Sequence, residues 1–152
     1  MSNQGQGQGK VQEALALLDA SAASKQITVQ SDPSDPSRRA YTVPTVDGRR
    51  QMVHAQPAID PLFGERLDLT SMVLRDVPPE PGLLLRLLKA AKDFRRVRLA
   101  MLDNHQFQLV VMASFVPDEI HEGASARLLH ALREVAAVAD SMERQLTSRD
   151  LE

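Results

Sequence analysis

The chain has 152 residues, a formal net charge of -2, 43% hydrophobic residues and no cysteine. That is enough apolar material for one core, and it excludes a disulfide scaffold and a thiolate nucleophile or metal site. With four Phe, one Tyr and no Trp, aliphatic side chains must supply most of the burial, and a slightly acidic chain carries no general nucleic-acid footprint.

Met1 to Gly9 contains only Met, Ser, Asn, Gln and Gly, a lead too polar to pack and expected to be disordered. Val11, Ala14, Leu15, Leu18 and Ala22 recur at helical spacing, so a first helix is expected from Lys10 to about Ala23. Residues 31–37 read as a turn-rich loop. Arg38 to Val46 and Arg49 to Gln56 flank Asp47-Gly48, a strong hairpin signal, and Pro44 marks the first of these as an edge strand. Pro57 to Gly64 is expected to be a loop, although Leu62 and Phe63 are apolar for exposed chain. Arg66 to Leu74 reads as a third strand.

Pro78, Pro79 and Pro81 open a second helix, where missing backbone donors cost nothing. It carries Leu83, Leu84, Leu85, Leu87, Leu88, Ala91 and Phe94, an apolar stripe wider than one core face needs. Arg95 to Leu102, an Asp103-Asn104 turn and Gln106 to Val116 read as a closing hairpin. Within it Phe107, Leu109, Val111, Ala113 and Phe115 share one strand face, with Gln106, Gln108 and Ser114 opposite, which reads as a sheet buried on one side. A last helix spans Ser125 to Leu146. The order α-β-β-β-α-β-β-α describes an α+β fold: an antiparallel sheet with three helices. It is expected to form a single domain over residues 10–147 with a short tail at 148–152. No apolar run approaches the roughly 20 residues that span a bilayer, so no membrane association and a cytoplasmic location are expected.

Candidate chemistry is sparse. His54, His105, His121 and His130 do not pair at ligand spacing, and Asp118, Glu119 and Glu122 suit the start of a helix better than an acid-base pair. No nucleophile motif or phosphate-cradling loop occurs. No catalysis, metal or cofactor is expected. Arg86, Lys89, Lys92, Arg95, Arg96 and Arg98 form the one basic patch. A nucleic-acid-associated regulator could use it, but without stacking aromatics such contact is expected mainly through a partner protein.

The leucine-rich helix, the hairpin ending in Val116-Pro117-Asp118-Glu119-Ile120, and the final helix with Val135-Ala136-Ala137-Val138-Ala139-Asp140 resemble the YbjN family and the related class I type III secretion chaperones. The resemblance covers element order over residues 10–146, and residue pattern only in the last third. It implies a non-enzymatic homodimer that binds a segment of a client protein, in YbjN proteins within bacterial stress responses. By the same resemblance, Leu84, Leu87, Leu88, Ala91, Val97 and Leu99 would sit at or near the dimer seam. Val11, Leu15 and Leu18, with Tyr41, Val43 and Val53 of the hairpin, would lie near the client.

Overall fold

The computed structural model describes residues 4–76, 80–102 and 108–147. Helix α1 (Gln4–Ala23) leads into strands β1 (Thr28–Ser31), β2 (Arg39–Pro44), β3 (Arg50–Asp60) and β4 (Gly64–Leu74). Helix α2 (Pro81–Ala91) is followed by β5 (Arg98–Leu102), β6 (Gln108–Phe115) and α3 (Ser125–Thr147). The strands form one antiparallel sheet in the order β1-β2-β3-β4-β6-β5. The fold is α+β with three helices on an antiparallel sheet, as the residue pattern predicts.

Each element follows from local chemistry. Asp47 (φ 57°) and Gly48 (φ 71°) both take the left-handed conformation that a tight hairpin turn demands, and Thr45 N–H donates to the Arg49 carbonyl at 2.9 Å to close it. Pro81 stands at the start of α2, where its absent N–H is no loss. Before α3, the Glu119 carboxylate accepts the Val116 N–H at 2.9 Å, so this member of the acidic cluster serves the chain turn.

Four expectations are corrected. Helix α1 begins at Gln4, not Lys10. Once the stripe from Val11 to Ala22 has nucleated a helix, each added residue gains a backbone hydrogen bond; Gln4, Gln6 and Gln8 suit it, whereas Gly5, Gly7 and Gly9 each cost about 1 kcal/mol relative to Ala. The sheet has six strands, because β1 pairs with β2 from Thr28↔Thr42 to Ser31↔Arg39. That pairing also removes β2 from the edge. Pro44 survives there because β1 reaches no further than Thr42, so no strand on that side needs the N–H that proline lacks. Finally, residues 57–60 are strand, not loop, and pair with β4 as far as Asp60↔Gly64. Met1 to Asn3, Pro78 and Pro79 before α2, the Asp103-Asn104 turn with the strand start at Gln106 and Phe107, and the 148–152 tail lie outside the described residues.

Alternation along the strands sorts the sheet into two faces. Tyr41, Val43, Val53, Ala55, Leu67, Leu69, Val111, Ala113 and Phe115 point to one face and are buried. They form one cluster with Val11, Leu15 and Leu18 of α1 and Leu128, Leu132 and Val135 of α3. Buried alanines at 14, 22, 131, 136 and 139 keep the helix surfaces low, which lets the backbones approach one another and the sheet.

Polar latches fix this cover. Lys10 Nζ donates to the Ile120 carbonyl at 3.1 Å, tying α1 to the segment before α3. The buried Tyr41 hydroxyl donates to Asp19 Oδ1 at 2.7 Å, and Arg39 Nε pairs with Asp19 Oδ2 at 3.2 Å. At the far end, Arg49 of the hairpin meets the buried Asp140 of α3 at 2.6 Å, with Arg144 at 3.5 Å.

Burial, and next the Asp19 carboxylate, push the Tyr41 phenol well above its usual range. Its contribution to stability is therefore present below about pH 10, the value for a free phenol, and is lost as pH rises beyond it. Tyr41 is the one tyrosine in a chain without tryptophan, so phenolate absorbance reports it alone. Absorbance should stay absent past pH 10 in the native protein and appear together with the loss of helical circular dichroism. A titration near pH 10 in the folded state would show the site to be open.

Arg49→Ala leaves the Asp140 carboxylate buried with only the more distant Arg144. Arg49 is itself 44% exposed, so solvent screening reduces the cost to about 1–2 kcal/mol. Adding Asp140→Asn should recover part of that loss in urea melts, because no buried charge then remains. Equal stability of Arg49→Ala and the unmodified protein would count against the latch.

Candidate interaction surface

Helix α2 carries more leucine than its own domain covers. Leu83 and Leu87, one turn apart, face inward and are buried, and Ala91 is half-buried. Leu84, Leu85 and Leu88 are 42%, 54% and 70% exposed and occupy neighbouring positions on the outer face. The wide apolar stripe read from the sequence thus splits into an inner third and an outer remainder. Of the residues expected near a seam, Leu84 and Leu88 are exposed, Ala91 and Leu99 are half-buried, and Leu87 and Val97 are buried within the chain.

The strand that follows α2 adds to this surface. In the sheet, β5 is an outermost strand and, among the described residues, pairs only with β6. Its other flank presents backbone donors and acceptors without a strand partner. Met101 on this strand is also exposed.

A second apolar surface lies on the β3–β4 hairpin. Strand β2 accompanies β3 only to Ala55, and β6 accompanies β4 only from Leu67. The ribbon from Gln56 to Arg66 therefore projects past the rest of the sheet as a two-stranded arm. Ile59 continues the row of Val53 and Ala55 on the helix-covered side, but beyond the helices, and is 77% exposed. Leu62 and Phe63 at the tip are exposed as well.

The arm is held in shape by charge. Asp60 Oδ1 accepts the N–H groups of Leu62 and Phe63 at 2.8 and 3.0 Å. Its other oxygen meets Arg66 at 3.0 Å. Those two backbone donors, and then Arg66, hold the Asp60 carboxyl below the usual carboxylate range. Arg66 also pairs with Asp68 at 2.8 Å. Asp68 accepts from the Ser114 hydroxyl at 2.6 Å, and Ser114 accepts from Arg98 at 2.9 Å. Beside Ile59, burial alone raises the Glu65 carboxyl.

The residues expected to meet a client are not on the surface. Val11, Leu15, Leu18, Tyr41, Val43 and Val53 are all 1% exposed or less, because α1 packs against β4, β1 and α3 while α3 covers β2 and β3. The resemblance placed them near a client; in the single chain all six belong to the core, and helical or strand spacing does not separate a core side chain from one in a groove. The arm was the missed feature, and its signal was the apolar Leu62-Phe63 pair in a segment read as loop.

The basic patch is dispersed. Arg86, Lys89 and Lys92 are exposed on or just after α2, whereas Arg98 is engaged with Ser114 on the opposite sheet face. His54, His121 and His130 are exposed on three different elements, and His105 lies outside the described residues. No cluster of metal-ligating side chains occurs among the described residues, and no described helix is long and apolar enough to cross a membrane.

No protein-family model and no curated protein sequence matches the chain. Among solved structures it is similar to the Yersinia pestis type III secretion chaperone SycH, whose structure was solved in complex with a stable fragment of YscM2. The identity is 14%, the match covers 85% of this chain and 98% of that one, and the TM-score is 0.48. No residue role follows from a likeness of that size.

Proposed function

We propose that the chain is a non-enzymatic homodimer that holds a segment of a partner protein, with α2 and the adjoining β5 edge as the seam between copies. One observation carries this reading: Leu84, Leu85 and Leu88 stand exposed together on a helix whose opposite face is already used. Burying one leucine side chain is worth roughly 2 kcal/mol. A two-fold axis presents each patch residue twice, so three leucines become six. A second copy is the simplest cover for such a stripe, since the same apolar surface is then met from both sides.

The partner segment belongs on surface the dimer leaves free. The β3–β4 arm offers exposed apolar side chains on a turn held by Asp60 and Arg66, so little ordering cost attends contact. Membership of the YbjN family, and a role in a bacterial stress response, form part of the same proposal. Their support is the element order and the residue pattern of the last third.

Leu84→Asp/Leu88→Asp tests the seam. Both side chains are exposed in the single chain, so the substitutions should leave thermal stability of the folded unit nearly unchanged while shifting the particle from dimer to monomer in light scattering. Leu88→Cys gives a second readout, because the chain has no other cysteine. Under mild oxidation it should yield a covalent dimer in high proportion. A double-aspartate variant that remains dimeric would move the seam elsewhere.

A further inference from the structure

Strand β6 extends beyond the strand that flanks it. β5 pairs with β6 only from Leu102↔Gln108 to Arg98↔Met112, whereas β4 on the other side follows β6 to Leu67↔Phe115. The flank of Ala113, Ser114 and Phe115 that faces away from β4 therefore carries no strand among the described residues. Alternate residues of a strand direct both N–H and C=O to the same side, so at least one of the three offers a backbone donor and acceptor outward.

That flank opens into a cleft of about 430 Å³. Arg96, from the turn before β5, and Arg127, from the first turns of α3, line it together with Glu119. Neither guanidinium makes a hydrogen bond or ion pair among the described residues. Glu119 is already committed through its bond from the Val116 N–H. Two fixed positive charges thus face one occupied carboxylate, and a guanidinium remains charged at any working pH.

From this juxtaposition we infer a binding site for an extended acidic peptide segment. The segment adds a short strand to β6, in line with β5, and its Asp or Glu side chain engages Arg96 and Arg127. Backbone pairing along an unused strand edge supplies general affinity, and the charged side chain supplies selectivity. Guanidinium-carboxylate contact is among the strongest hydrogen-bonded pairings available to an exposed site. A nucleic acid fits less well: Phe115, the aromatic residue at the cleft, is buried, leaving no platform for a base. The inference rests on the protein-binding reading and names the chemistry of one segment the module would hold.

The test uses fluorescence anisotropy on the full chain with labelled heptapeptides of alternating Val and Thr. One carries a central Glu, a second Gln, a third Lys, and a fourth the Glu with N-methylated backbone amides. The Glu peptide should bind roughly tenfold more tightly than the Gln peptide, and N-methylation should abolish binding. Arg96→Glu/Arg127→Glu, both exposed positions, should reverse the preference from Glu to Lys while leaving the melting temperature and particle mass unchanged. Equal affinity for the Glu and Gln peptides, an unreversed preference in the double variant, or no binding of any peptide would overturn the site. The dimer is read separately from the particle mass, so a failed cleft and a failed seam give different results.

Discussion

The requirement to cover one apolar sheet face shapes the rest of the molecule. Six antiparallel strands place their inward residues in a single layer, and that layer must be kept from water. Helices α1 and α3 do this over β2, β3, β4 and β6, using Leu15 and Leu18 on one and Leu128, Leu132 and Val135 on the other. Little of the layer remains for α2, which contributes only Leu83 and Leu87 to the interior. Its other leucines have no inward place left. The interaction surface is therefore a consequence of how the first and last helices divide the core between them.

Much of this was legible in the residues. The Asp47-Gly48 turn, the proline start of α2 and the long periodic run of α3 each rest on local chemistry that tertiary packing does not override. β1 escaped notice because Val29 is the one apolar residue in Thr28–Ser31, so no alternation shows. The outer half of β3 escaped because Pro57 reads as a break. It is tolerated there since β2 has already ended at Ala55 and only β4 flanks it. The harder limit concerned the site. Leu15, Leu84 and Leu87 look alike in sequence, yet one lies in the core, one on the surface and one at the margin. Only the arrangement of neighbours separates them.

The electrostatic pairs do a different job from the apolar layer. A chain of contacts runs from Asp60 at the arm tip through Arg66, Asp68 and Ser114 to Arg98 on β5. It crosses β4 and β6 on the face that carries no helix. Each link is short and several are partly buried, which favours a single geometry over an ensemble. The projecting arm is thus held to the sheet by charge where apolar packing has run out, and its exposed Ile59, Leu62 and Phe63 are presented on a firm base.

In the proposed dimer a second copy covers the outer stripe of α2. Sedimentation equilibrium of the unmodified chain at micromolar concentration tests it most directly. The expected particle has twice 16.8 kDa and dissociates only on dilution. A single species of 16.8 kDa across that range would contradict it.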